Sequence, residues 1–402
     1  MDQIKQLENV AVVNQAEDTY EALMQLGIRP RAEYVESNDS LLSVLHQAED
    51  ASYLYVYNYM YEEEQNDIGQ ISLDGIYKPY ALNTWTGEIT ELAEYSYQGS
   101  RTILNVDLAP GDIMVFVLDP NDQGEKTVVS SENVDKVTVE NGNTTMYVAN
   151  SGKAVLNYSD GTSYTEEVSV PEDIQLDNWN LLVQDWQPGD KITRTEDRGF
   201  GYTTTEVTYD TNKVDINVGQ TDLIPWKDIP QVGGTVSGVG SYTTTFTLPE
   251  NWDNSLYSLR FQADSFSGGT AAIFINGKQV NGNMDNCTAD LSEFAQPGEN
   301  TIEVRVTSSL RNRMYDLGYD VNWTMWHQTP EIDSYGMVGD TTLKVYTKVV
   351  GQSTDQPSSD NPESPSTNEP TNSPQTGDAA PIIGITVLTM ASATMLIFRK
   401  KK

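Results

Sequence analysis

Ser52-Tyr53-Leu54-Tyr55-Val56-Tyr57-Asn58-Tyr59 is the stretch on which the fold turns. Its period is two. Tyr53, Tyr55, Tyr57 and Tyr59 fall on one face and Leu54 and Val56 on the other, which is the spacing of a strand and not of a helix. Both faces carry large side chains, so the strand is expected to be covered on both sides. Strand-like runs follow at Ile76 to Asn83, Glu88 to Tyr95, Arg101 to Leu108 and Ile113 to Leu118. The breaks at Thr86-Gly87, Gln98-Gly99 and Pro110-Gly111-Asp112 carry turn chemistry. Residues 49–122 therefore read as a small antiparallel β-sandwich. The tyrosine row could offer rings to a sugar, but cross-strand packing explains the alternation more simply.

Upstream, Tyr20, Leu23 and Leu26 recur at helical spacing before Gly27, which predicts a short amphipathic helix over Glu17 to Leu26. Its stripe needs a partner, and nothing comparable follows. Downstream, Asn141-Gly142 and Asp160-Gly161 punctuate strand pairs in a β-hairpin module spanning 123–170. From 171 to 348 come short alternating strands: Trp179 to Val183, Tyr242 to Leu248, Leu256 to Gln262, Ala271 to Ile275 and Thr301 to Val306, with Asn276-Gly277 turning into Lys278-Gln279-Val280. That pattern predicts a jelly-roll sandwich. Residues 349–372 are rich in Ser, Pro, Thr, Asn, Asp and Glu and read as a disordered stalk. The fold class is thus mainly β, in tandem β-sandwich domains with a short N-terminal α segment.

The chain has 402 residues, 59 Asp and Glu against 24 Lys and Arg, and a formal charge of -35. Such a surface repels phosphate backbones, which excludes nucleic acid as a partner, and leaves neutral glycans unpenalised. A single cysteine, Cys287, excludes an internal disulfide framework and a cysteine-rich metal site. It reads as a small core or turn residue.

The last residues, 373–402, hold Ser373-Pro374-Gln375-Thr376-Gly377, then an apolar run from Ala379 to Phe398 and the cations Arg399, Lys400, Lys401 and Lys402. At ~1.5 Å per residue the run forms a helix just long enough for a ~30 Å hydrocarbon core, and the cations stay cytoplasmic. The order resembles a Gram-positive sortase signal of the LPXTG class, with Ser373 where that pattern has Leu. The resemblance implies sortase as a partner, attack on the Thr376 carbonyl, release of Gly377 onward and covalent attachment to the peptidoglycan wall through Thr376. The membrane is then met only through the sorting helix, and the product stands on a Gram-positive cell surface. A permanent single-span anchor and a lipid-anchor tail are the other readings, though a lipid-anchor tail would not end in four cations. Met1-Asp2-Gln3-Ile4-Lys5-Gln6 has no apolar run behind a basic start, so the chain is expected to be part of a longer exported protein.

A second resemblance rests on two sets of residues. Trp179-Asn180-Leu181 through Pro225-Trp226, Gly238 to Phe246, Ile273 to Lys278 and Gly298 to Val304 resemble the sugar-binding jelly roll of glycoside hydrolase family 2, a galactose-binding-like fold. Glu21 to Ile28, Asp50 to Asn58, Ala81 to Ile89 and Leu108 to Asp112 resemble the rhamnosidase-type glycoside hydrolases of family 106. The resemblance implies that residues 1–48 are the tail of a catalytic barrel, that no family catalytic residue lies in this chain, and that the parent cleaves terminal α-L-rhamnose.

Candidate sites are few. Glycosidases need two carboxyl groups facing one bond, and with so many acids acidity selects none. Glu62-Glu63-Glu64 reads as a solvated turn, and Asp119-Pro120-Asn121-Asp122-Gln123-Gly124 fails as an EF-hand because Gln123 is a poor ligand and Ser130 would stand at position twelve. No cofactor is implied; an acidic sandwich leaves room for a structural calcium with no ligands that can be named. His46 and His327 lie far apart, without a nucleophile motif. Trp323, Trp326 and His327, with Asp316, Asp320 and Asn322, sit in an irregular stretch and form the candidate sugar-binding group, since aromatic faces stack on sugar rings and the polar groups meet hydroxyls. Ordinary loop packing reads equally well. The functional expectation is a surface-anchored, carbohydrate-associated accessory region of a glycoside hydrolase, with a wall-anchored glycan-binding adhesin as the alternative.

Overall fold

The computed structural model describes residues 6–48, 51–60, 65–84, 87–124, 126–283, 287–319 and 332–353. They are mainly β, in several packed sheets. Helix α1 (Thr19–Gln25) ends on Gly27 at φ 71°, with the Ile28 amide donating to the Leu23 carbonyl. It buries none of its residues, and Tyr20 and Leu23 stay exposed.

The first sandwich contains β1 (Ala32–Tyr34), β2 (Leu41–Gln47), β3 (Ser52–Asn58), β4 (Asp67–Asp74), β5 (Lys78–Leu82), β6 (Ile89–Glu91), β7 (Tyr95–Gln98), β8 (Arg101–Leu108) and β9 (Ile113–Asp119). One sheet runs β1-β4-β8-β7 and the other β2-β3-β9-β5-β6, all antiparallel. Leu54, Val56, Leu73, Leu104, Phe116 and Leu118 close the space between them, each fully buried and each contributing roughly 1.5–3 kcal/mol of transfer free energy. Two expectations change here. Tyr53, Tyr55 and Tyr59 are more than a third exposed, so β3 is covered on its Leu54 and Val56 face alone. Residues 32–34 and 41–47, which the sequence assigned to an upstream tail, are hydrogen-bonded into both sheets. Arg101 makes that inclusion firm: its guanidinium donates to Ser72 Oγ and O and to the Pro30 carbonyl, and it pairs with Glu33 at 3.4 Å.

The hairpin module comprises β10 (Val128–Glu132), β11 (Lys136–Glu140), β12 (Asn143–Val148), β13 (Gly152–Tyr158) and β14 (Ser163–Val168). Asn141 and Gly142 both take positive φ, 52° and 73°, as a two-residue hairpin demands. At the other turn only Gly161 does, because Asp160 instead accepts hydrogen bonds from the Thr162 amide and hydroxyl. Strands β10, β13 and β14 form one sheet, whereas β11 and β12 join a sheet of the jelly roll.

That jelly roll is built from β15 (Ile174–Gln175), β16 (Asn180–Asp197), β17 (Thr203–Gln220), β18 (Gly238–Leu248), β19 (Tyr257–Ser267), β20 (Ala271–Ile275), β21 (Lys278–Val280), β22 (Gly282–Asn283), β23 (Thr288–Asp290), β24 (Gly298–Thr307) and β25 (Gly336–Ser353), with helix α2 (Arg311–Asp316) between the last two. Its sheets run β17-β16-β18-β24-β20-β21 and β11-β12-β25-β19-β23-β22, with β15 also on β25. Trp179, Trp226, Tyr242, Phe261 and Val304 fill the core. Trp226 Nε1 donates to the Tyr242 hydroxyl at 2.8 Å, and burial pushes that phenol up to about 12. Cys287 is buried in the same core.

Strands β16 and β17 run far past the sandwich. Beyond Asp185, β16 pairs only with β17, out to the Asp197–Thr203 rung. At the tip Phe200 takes φ 54° between two positive-φ glycines, a costly conformation for a bulky residue, and is fully exposed. The sequence reading saw a strand only to Val183.

Glu94 marks the seam between the first sandwich and the hairpin module. Ser131 Oγ donates to its carboxylate at 3.2 Å, and Glu94 itself bridges to Val128. Burial raises its pKa, against the Ser131 hydrogen bond, which lowers it. A raised folded-state value means stability is greatest below the unfolded-state pKa of about 4.3 and falls as pH rises through the window up to the folded value. The Glu94→Gln variant lacks that loss. Its Tm should match the wild type near pH 4 and exceed it at pH 7; parallel Tm curves across that range would contradict the assignment.

Candidate functional site

Two places gather polar chemistry. The first is the jelly-roll end where β24 gives way to α2 and the long arm leaves the sheet. Asp185, 2 % exposed, accepts both carboxylate oxygens' hydrogen bonds from Arg313 Nη2 at 2.7 Å, and the Ser237 amide and the Gln187 side chain complete its shell. Arg313 also reaches Asp316 at 3.4 Å. On the far side of the irregular stretch, Asn312 and Asp333 exchange hydrogen bonds of 3.0 Å, Arg311 pairs with Asp333 at 2.6 Å, and the Tyr335 hydroxyl donates to the same carboxylate. Trp186, at the arm's foot, has Lys213 over its ring at 4.4 Å. This end is closed by its own ion pairs.

The second is a cleft of about 510 Å³ between the first sandwich and the outer face of the β11-to-β22 sheet. Asn83, Thr84, Asp112, Ile113 and Met114 line one wall. The other wall follows from strand register. Leu343 and Val345 point into the jelly-roll core, so Lys344, Tyr346 and Lys348 point out. Tyr147 lies across from both Lys136 and Lys348, Ser258 across from Tyr346, and Arg260 across from both Lys344 and Asp290. Lys136 and Lys348 stand 5.5 and 5.4 Å from the Tyr147 ring centroid. Burial, then the Glu140 carboxylate that its hydroxyl contacts at 2.5 Å, keeps Tyr147 protonated well above the usual tyrosine range. Burial also raises Tyr346, while Arg260 opposes it. Arg260 Nη2 donates to Thr288 Oγ1 at 2.8 Å. Asp135 accepts from the Ala149 amide and Asp290 from the Ser292 amide, both at 2.8 Å, which fixes them as acceptors. Two half-covered phenol rings, amides, carboxylates and a guanidinium in a concave site suit a polar ring with hydroxyls.

Of the sequence-chosen sugar group, Asp316 closes α2 and pairs with Arg313. Asp320, Asn322, Trp323, Trp326 and His327 lie outside the described residues, as do Ser373, Pro374, Gln375, Thr376, Gly377, the sorting helix and Glu62-Glu63-Glu64. His46 is exposed on β2. Among the described residues no group of three or more His, Cys, Asp or Glu could hold a metal ion, and no helix is long and apolar enough to cross a membrane. The cleft residues escaped the sequence reading because they come from strands far apart in the chain, from Ala81 to Tyr346. The one local signal was the alternation Lys344-Val345-Tyr346-Thr347-Lys348.

This β-sandwich arrangement is similar in fold to part of a solved rhamnosidase. A rhamnosidase from Novosphingobium sp. PP1Y superposes with a TM-score of 0.51 at 16% identity, over 82% of this chain and 26% of its own. A β-glucuronidase from an uncultured Clostridium sp. (TM-score 0.26, 15% identity, 45% of this chain and 30% of that one) and a β-D-mannosidase from Dictyoglomus thermophilum (0.25, 14%, 43% and 22%) are weaker likenesses. The chain therefore spans about a quarter of the rhamnosidase's length. No protein-family model matches the sequence, and no curated protein matches it either.

Removing one member of the buried Asp185–Arg313 pair strands the other. Arg313→Met should cost about 3–5 kcal/mol in chemical denaturation, whereas Arg198→Met at the exposed tip pair with Glu196 should cost under about 1 kcal/mol.

Proposed function

We propose that this chain is a carbohydrate-binding accessory region of a surface-anchored glycoside hydrolase whose parent activity is of the α-L-rhamnosidase type. The cleft carries this reading: it sets the Tyr147 and Tyr346 rings beside Arg260, Asp135, Asp290 and Asn281 in a concave surface between two sandwiches. The fold likeness to a rhamnosidase supports a carbohydrate setting. In this reading the region holds sugar without cleaving it, and the lining carboxylates Asp112, Asp135 and Asp290, each accepting a backbone amide, offer their remaining lone pairs to sugar hydroxyls. Ser373-Pro374-Gln375-Thr376-Gly377 ahead of the apolar run and four cations supports anchoring on a Gram-positive wall, with a sortase joining Thr376 to peptidoglycan.

A glycan-binding adhesin is the second reading, favoured by the projecting β16–β17 arm with its exposed Phe200 and Tyr202. The two diverge on one variant. If the cleft binds sugar, Tyr147→Ala should weaken glycan-array binding about tenfold or more, as loss of a stacking ring worth about 1.4 kcal/mol requires, and replacing residues 187–212 by Asn-Gly should leave it unchanged. The converse pattern would favour the adhesin. Neither protein should turn over aryl rhamnosides; turnover would refute the non-catalytic assignment.

The anchor is checked separately by mass spectrometry of protein released from walls by a muralytic enzyme. The expected C-terminal residue is Thr376 joined to a wall peptide, and a Thr376→Ala variant should keep the tail. An intact Lys402 on the wild-type protein would rule the sorting reading out.

A further inference from the structure

We infer that the cleft selects an acidic saccharide, a glycan bearing uronate carboxylates, over its neutral counterpart; this deepens the carbohydrate reading of the same cleft and rests on it. Lys136 and Arg260 line the cleft, and Lys344 and Lys348 stand beside them on the same face of the sheet, fixed there by the Lys136–Tyr147–Lys348 and Asp290–Arg260–Lys344 rungs. Among the described residues none of the four has a carboxylate oxygen within 4.0 Å. Elsewhere among the described residues Lys78, Arg101, Lys126, Arg311 and Arg313 are paired and Lys153, Lys191, Lys227 and Lys278 are not; what sets this face apart is that its unpaired cations stand on adjoining strands.

Cations on adjoining strands repel one another, and here, among the described residues, that repulsion is not offset by a direct ion pair. Like charges on neighbouring positions of a sheet are destabilising. Lys136 and Lys348 flank the same tyrosine ring, and Lys344 lies directly across from Arg260. A bound carboxylate relieves that repulsion, and a planar guanidinium suits it in particular.

The acids of the cleft do not supply the missing charge. Asp290 shares a rung with Arg260 but turns its Oδ1 to Ser292, Asp135 turns to Ala149, and Asp112 Oδ1 accepts from the Ile113 amide. They remain acceptors for sugar hydroxyls. Their presence disfavours a ligand charged at every position, such as a heavily sulfated chain, and fits one carboxylate per hydroxylated ring.

The test is calorimetric titration of the full chain with a short galacturonic acid oligomer and with the same oligomer methyl-esterified at every carboxyl. The free acid should bind about tenfold or more tightly, and raising the salt concentration should narrow the gap, since the preference is ionic. Arg260→Gln should abolish the preference for the free acid, bringing the two affinities to within about twofold of each other. Because Arg260 also holds Thr288, Lys136→Gln serves as a second variant: it keeps the wild-type Tm and loses part of the preference. Equal binding of acid and ester overturns the inference and leaves the carbohydrate reading standing. Binding of neither, together with an empty neutral-glycan array, overturns both. Tighter binding of the ester overturns the inference outright.

Discussion

Strand β25 is the constraint on which the rest depends. Its 18 residues pair with β19 and β15 through the jelly roll and then with β12 of the hairpin module, so one strand belongs to two sandwiches. A strand can serve two cores only if its register is fixed at both ends. At its start Gly336 has φ 123°, and a Cβ there would meet the Tyr242 hydroxyl at 2.8 Å and the Trp226 ring at 2.9 Å, so only glycine lets β25 enter beneath the core aromatics. Near its end Gly351 passes 2.6 Å from Thr144 Oγ1 on the same construction, which lets the strand press onto β12. With both ends fixed, period-two alternation sends Leu343 and Val345 inward and Lys344, Tyr346 and Lys348 outward. The cleft's chemistry is thus a consequence of where two glycines stand.

Local patterns made much of the fold legible. Arg101–Leu108 and Ala271–Ile275 match the sequence reading end to end, because turn residues, Gln98-Gly99 before the first and Asn276-Gly277 after the second, bound them. Asn141-Gly142 and Asn276-Gly277 mark hairpins because both residues of each pair adopt positive φ. Non-local facts were not legible. Leu41–Gln47 has the right composition for a strand, yet its place at the edge of a sheet depends on pairing with Ser52–Asn58 and on Leu41 reaching the core. The arm over residues 187–212 carries the Thr-rich, alternating pattern of a strand pair but too few apolar residues for a core-centred reading to find it. The cleft was illegible for the same reason: Tyr147, Arg260 and Tyr346 meet only through sheet order.

The distribution of ion pairs separates structural electrostatics from the functional kind. At the jelly-roll end the charges among the described residues are answered: the buried Asp185 by Arg313, and the half-exposed Asp333 by Arg311 and the Tyr335 hydroxyl. Such closed shells offset the large desolvation cost of burying charge and fix the frame of a loop. They also leave no charge over for a ligand. In and beside the cleft the arrangement differs, with Asp135 and Asp290 turned to backbone amides, Lys136 and Lys348 to the Tyr147 ring and Arg260 to Thr288. An aromatic face stabilises an exposed cation by only about 0.5–1 kcal/mol, far less than a carboxylate in the same position would. Folding alone gives no reason to prefer the weaker partner. On the proposal made above, the cleft's cations are groups kept available for a ligand, while the Asp185–Arg313 pair ties β16 at the foot of the arm to the helix that follows β24.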